Sequence, residues 1–106
     1  MLRAAALLLG GVWLTASSQA GEVAAGRHKA AACSVCHGPL GVATLPDAPN
    51  LAGQSAIYLV AQLKAYRGGT RQHEVMSLMA KALSDADIDN LASWYSSLQV
   101  EVKERP

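Results

Sequence analysis

Apolar residues recur at helical spacing along two stretches of the chain: Ile57, Leu59, Val60 and Leu63 in the first, and Ile88, Leu91, Ala92, Tyr95 and Leu98 in the second. Ser55 precedes the first stretch as a helix N-cap, and Gly68-Gly69 stops it after Arg67. Ser84 begins the second, with Asp87 three residues on as a capping-box partner and Asp85, Asp87 and Asp89 loading the positive end of the helix dipole. The pattern also predicts a helix over 22–33 and a short one over 75–82. Gly26 falls inside the first of these, either as a tolerated weak position or as a point of close approach for another helix. Between 37 and 54 the glycines and prolines, among them Gly38, Pro39, Gly41, Pro46, Pro49 and Gly53, break any continuing helix and predict a long irregular loop. The expectation is an all-α chain, with a frayed tail over 100–106.

The first twenty residues follow a different logic. Arg3 is a positive flank, Ala4 to Leu14 are apolar but too few to span a bilayer comfortably, and Ser18-Gln19-Ala20 offers small residues for cleavage. This predicts a secretory signal peptide over 1–20 and one domain over 21–106. Without Arg3 the eight remaining basic side chains match the eight acidic ones, so no net field points to nucleic acid or an anionic membrane. No apolar run after residue 20 is long enough to cross a bilayer. A domain this small holds only a marginal core and commonly needs a covalent or metal staple.

That staple has an address. Both cysteines of the chain lie in Cys33-Ser34-Val35-Cys36-His37, the C-x-x-C-H spacing of covalent c-type haem attachment. Spacings of three and four put both sulfurs and the imidazole on one side of a helical turn, the sulfurs for the porphyrin edge and His37 for the iron. Three other chemistries use such a pair. A zinc site lacks a convincing fourth ligand, with only Asp47 nearby and His73 distant; a thioredoxin-like redox pair lacks its βαβ setting; a short disulfide leaves His37 and the long loop without a purpose.

Around this motif stand Pro49-Asn50-Leu51-Ala52-Gly53-Gln54, Tyr58-Leu59 with Gln62-Leu63, Tyr66-Arg67-Gly68-Gly69-Thr70-Arg71, and Leu83-Ser84-Asp85 with Leu91-Ala92. Together these closely resemble bacterial class I cytochromes c over almost all of 21–106, particularly the short single-haem periplasmic type and one half of the di-haem cytochrome c4 group. The resemblance implies about four helices wrapped around one covalently bound haem c, with Cys33 and Cys36 as thioethers and His37 as one axial ligand. It implies methionine as the other ligand, about seven residues before Leu83, which is Met76; Met79, one turn later, is the alternative. It also implies that the Pro49 carbonyl accepts the His37 N–H, and that the helices carrying Gly26 and Leu91 cross closely. Trp94 stands where the family pattern suggests tyrosine. Arg67, Arg71 and Tyr58 are candidate propionate or haem contacts, with exposed solubilising charge the competing role for the arginines. His73 and Lys81 are expected to be solvated surface groups.

The function so implied is a soluble periplasmic electron carrier, not an enzyme, cycling between Fe(II) and Fe(III) and served by a terminal oxidase, reductase or dehydrogenase. Val35, Ala43 and Leu45 are candidate neutral docking contacts. A haem enzyme or gas sensor with an open or displaceable sixth position is the alternative, and a C-x-x-C thiol oxidoreductase a more distant one.

Overall fold

The computed structural model describes residues 1, 6–14 and 21–106. The expected leader's Arg3 and its cleavage residues Ser18-Gln19-Ala20 lie outside the described residues. Five helices follow in order: α1 (Val23–Lys29), a 3-10 turn (Ala30–Ala32), α2 (Ser34–His37), α3 (Ala56–Gly68), α4 (Glu74–Lys81) and α5 (Asp85–Ser97). Among the described residues there is no strand, and no helix is long and apolar enough to cross a membrane.

α5 supplies most of the core, with Ile88, Leu91, Ala92, Trp94 and Tyr95 buried along one side. Its start is fastened as the sequence predicts: Ser84 Oγ accepts from Asp87 N–H, and the Asp87 carboxylate accepts from Ser84 N–H. α1 crosses α5 at Gly26. A Cβ there would collide with Asn90 O and sit 2.8 Å from Trp94 Cβ, so glycine is what lets the two backbones meet. Contacts to either side hold the crossing in register. Asn90 Oδ1 accepts Glu22 N–H at 2.8 Å, Lys29 pairs with Asp87 at 3.4 Å, and the Arg27 guanidinium lies 5.3 Å from the centre of the Trp94 ring.

The single helix expected over 22–33 is divided. After Lys29 the chain tightens into the 3-10 turn before α2 begins. α3 begins at the Ser55 cap, whose Oγ accepts from Tyr58 N–H, and stops at Gly69, which takes the left-handed φ of 88°. Leu59 is the one buried residue of α3, and Ile57, expected on the inner face, is 84% exposed. Leu59 anchors α3 in the core with Val60 and Leu63 beside it, while Ile57 stays exposed at the rim, where it lines a groove with Val60 and with Asp89, Ala92 and Ser93 of α5.

α4 packs on α3 and has a cap that the sequence reading overlooked. His73 is no idle surface group: its Nδ1 accepts from Val75 N–H and Met76 N–H at 3.2 and 3.3 Å, while its own N–H donates to Ser77 Oγ at 3.0 Å. Arg67, near the end of α3, reaches across to Leu83 O at 3.1 Å and Asp85 Oδ1 at 2.6 Å, joining α3 to the start of α5.

Two outcomes follow from this framework. Gly26→Ala is expected to lower stability by about 1–3 kcal/mol, the usual cost of forcing extra volume into a close-packed contact, read as a lower denaturant midpoint with unchanged slope. The Arg67 guanidinium holds Asp85 below the usual carboxylate range, and the Ser84 backbone N–H does the same for Asp87. Depressed folded-state values mean stability that is present above the ordinary carboxylate pKa of about 4 and lost as pH falls through the lower folded values. Thermal melts of Asp85→Asn with Asp87→Asn should therefore differ least from the parent at the acid end of the titration.

Candidate functional site

The two thiols and the imidazole are placed by one short turn of backbone. Cys33 N–H donates to Ala30 O at 2.9 Å as the 3-10 turn ends, and His37 N–H donates to Cys33 O at 3.0 Å to close α2. Ser34 Oγ donates back to Ala31 O at 2.7 Å. Gly38 then takes φ 78°, and a Cβ there would collide with Val42 O. This lets the loop fold back over the end of the turn it has just left. Thr44 N–H and Thr44 Oγ1 both donate to Cys36 O, at 3.1 and 3.4 Å, and Oγ1 also reaches Val35 O at 3.1 Å. The carbonyls at the end of α2 thus find partners in the loop.

The rest of the loop is tied with equal care. Asn50 Oδ1 accepts Ala43 N–H at 2.7 Å, and Gly41 O accepts both Leu51 N–H and Ala52 N–H, at 2.7 and 3.0 Å. These bonds bracket Pro49 and fix the direction of its carbonyl, which lies 2.8 Å from His37 Nδ1. A proline carbonyl can only accept, so Nδ1 must carry the proton. In that tautomer the lone pair lies at Nε2. His37 is buried, at 7% exposure, and so is held in that orientation.

Cys33 and Cys36 are partly buried and form no disulfide with each other. Burial pushes the Cys33 thiol pKa up, against smaller opposing pulls from the Tyr95 hydroxyl and Lys29. Among the described residues no three His, Cys, Asp or Glu side chains converge as metal ligands, so Cys33, Cys36 and His37 do not form the point-like set a tetrahedral zinc requires. Spread along a turn, they fit a broad planar group held at its edge by sulfur and at its centre by nitrogen. The turn also adjoins apolar side chains, because Cys33 packs against the core cluster that holds Leu59, Leu91 and Tyr95.

The chain matches the family model for cytochrome c over residues 23–99. The chain belongs to the cytochrome c family. It is 48% identical over 81 residues to cytochrome c-554(548) of Halomonas halodenitrificans, a match covering 74% of this chain and 98% of that one. The thiosulfate dehydrogenase electron acceptor of Stutzerimonas stutzeri is 44% identical over 69 residues, covering 62% of this chain and 32% of the relative. Among solved structures, reduced recombinant cytochrome c4 from Pseudomonas stutzeri superposes with a TM-score of 0.72 at 36% identity, covering 78% of this chain and 48% of its own. The chain therefore spans nearly the whole of the Halomonas cytochrome, but half or less of the other two. Membership of the cytochrome c family brings covalent haem c, with Cys33 and Cys36 at the attachment spacing, and with it a part in electron transfer.

The remaining candidates are more scattered. Met76 and Met79 both sit on α4, Met76 partly buried and Met79 40% exposed. Arg67 is engaged with Leu83 O and Asp85, and Arg71 donates to Gln62 Oε1 at 2.6 Å while stacking 4.7 Å from the centre of the Tyr66 ring. Both guanidinium groups thus have protein partners. Tyr58 is half exposed near the start of α3. Sequence reasoning missed Asn50, although an Asn directly after Pro49 in a loop is a common turn-forming signal. Tyr95, expected in the buried stripe of α5, also brings its hydroxyl into the core.

Attachment through both sulfurs has a direct check. Acidified acetone should extract no haem from the parent protein and essentially all of it from Cys33→Ser with Cys36→Ser, while either single variant keeps one thioether and retains its haem. Haem release by either single variant would show that the turn does not hold the group from both sulfurs.

Proposed function

We propose that this chain is an exported, periplasmic single-haem electron carrier in which His37 and Met76 are the axial ligands. The hydrogen bond between His37 and Pro49 carries the reading, because it leaves Nε2 as the ring's free lone pair within the attachment turn. Export rests on the leader-like pattern of 1–20 and on the chemistry of covalent attachment, which suits an oxidising compartment. A single C-x-x-C-H supports one haem.

Bound haem supplies one-electron cycling between Fe(II) and Fe(III). The protein's residues set the conditions for it. Pro49 O holds the Nδ1 proton, which fixes the tautomer and orientation of the imidazole and makes Nε2 the better donor to iron. A methionine thioether opposite histidine favours the reduced state relative to a second imidazole. Met76 suits this position better than Met79 because it is the less exposed of the two, and its N–H is anchored by the His73 cap. Were His37 and Met76 both to hold the iron, no position would be left for a small-molecule substrate, which favours carriage of electrons over catalysis.

Val35, 74% exposed between the two cysteines, and Leu45 on the adjoining loop give an uncharged face to a redox partner. Small, brief encounters suit such a surface. Because relatives of this chain include a thiosulfate dehydrogenase electron acceptor, a dehydrogenase is the class of donor we favour.

The axial assignment predicts that Met76→Ala abolishes the sulfur-to-iron charge-transfer band of the oxidised protein and lowers its midpoint potential. Met79→Ala should keep the band. Loss of the band in Met79→Ala with its retention in Met76→Ala would transfer the role one turn along α4.

A further inference from the structure

Tyr95 is 3% exposed, and its Oη is a buried polar atom with no hydrogen-bond partner. Buried hydroxyls without partners are uncommon because the water they gave up is not replaced. The ring cannot swing outward to recover it. Gly41 lies so close that a Cβ there would stand 3.0 Å from Tyr95 Cδ1, and the backbone beneath is pinned where Tyr95 O accepts Gly53 N–H at 2.9 Å and Leu98 N–H at 3.3 Å. Leu91, Ala92 and Trp94 pack in the same core cluster, and Cys33 packs against that cluster.

The polar neighbour of the hydroxyl is the Cys33 sulfur. Burial raises the Tyr95 phenol pKa, the nearby Cys33 sulfur raises it further, and the hydroxyl in turn pulls the thiol downward. The two groups therefore lie close enough to act on each other, although the hydroxyl has no aligned hydrogen-bond partner. A thiol carries its own proton and can take either role toward a hydroxyl. A thioether has no proton and can only accept. Covalent attachment at Cys33 therefore removes the ambiguity.

We propose that in the haem-bearing protein Tyr95 Oη–H donates a hydrogen bond to the thioether sulfur of Cys33, making Tyr95 a positioning residue that tunes the reduction potential. The bond links the C-terminal helix directly to one edge of the macrocycle. By drawing electron density from that sulfur it favours the form carrying the additional electron, so it raises the potential. It also satisfies the one side-chain polar atom that the buried core of the described residues leaves unpaired.

The inference rests on covalent haem at Cys33, which intact mass of the same samples reports independently. In the reduced, diamagnetic holoprotein, proton NMR should show a slowly exchanging Tyr95 hydroxyl resonance with cross-relaxation to the Cys33 β-protons. Tyr95→Phe keeps the ring and should retain haem at full stoichiometry while shifting the midpoint potential to lower values. Rapid exchange of the hydroxyl, proximity to some other acceptor, or an unchanged potential in Tyr95→Phe would overturn the proposal, even if that variant proves less stable.

Discussion

Gly26 and the helix it crosses constrain everything else in the fold. α1 runs within a few residues into the cysteines and histidine of the attachment turn, and α5 carries most of the buried apolar side chains. Where these two helices meet, the backbone of one lies against Asn90 and Trp94 of the other with no room for a methyl group. The meeting point fixes the attachment turn relative to the core. A small shift there would carry Cys33 away from Tyr95 and the loop away from the imidazole. Charged and cation–π contacts flank the crossing, but packing sets its geometry, because surface ion pairs such as Lys29 with Asp87 contribute little alone.

The irregular loop is the second structural layer, and its order comes from hydrogen bonds instead of apolar burial. Three glycines with positive φ, Gly38, Gly41 and Gly53, allow turns that residues with side chains resist. Thr44, Asn50 and the Gly41 carbonyl then tie the loop to α2 and to itself. The effect is to deliver one carbonyl, that of Pro49, to one nitrogen. A flexible segment of the same length would leave the imidazole free to rotate between tautomers and orientations.

Much of this was legible from the sequence, and the failures have physical causes. The caps at Ser55 and Ser84 are local chemistry, readable from a hydroxyl and the residues three positions on. The close approach at Gly26 was readable as one of two possibilities, and only the partner helix could decide between them. The C-x-x-C-H turn declares its chemistry by spacing alone. By contrast, the 3-10 tightening after Lys29 follows from the need to aim the turn, which propensity over an alanine-rich stretch does not record. Ile57 stays uncovered because four apolar residues on α3 exceed what its narrow contact covers. The capping role of His73 is hard to foresee because histidine is not among the usual capping residues, and the tie that Arg67 makes to α5 because its partners lie 16 and 18 residues away.

That long reach of Arg67 has a consequence for how the molecule moves. The guanidinium joins the end of α3 to the carbonyl and carboxylate at the threshold of α5, so the intervening chain, α4 included, leaves and re-enters the body through a single neck. The capped helix inside that excursion has its own terminal bonds and packs chiefly on α3. Such a segment can lift as a unit without disturbing the crossing of α1 and α5 or the loop beneath the histidine. One cation therefore serves as a buckle: α4 can loosen while the attachment turn and the loop beneath His37 stay shut.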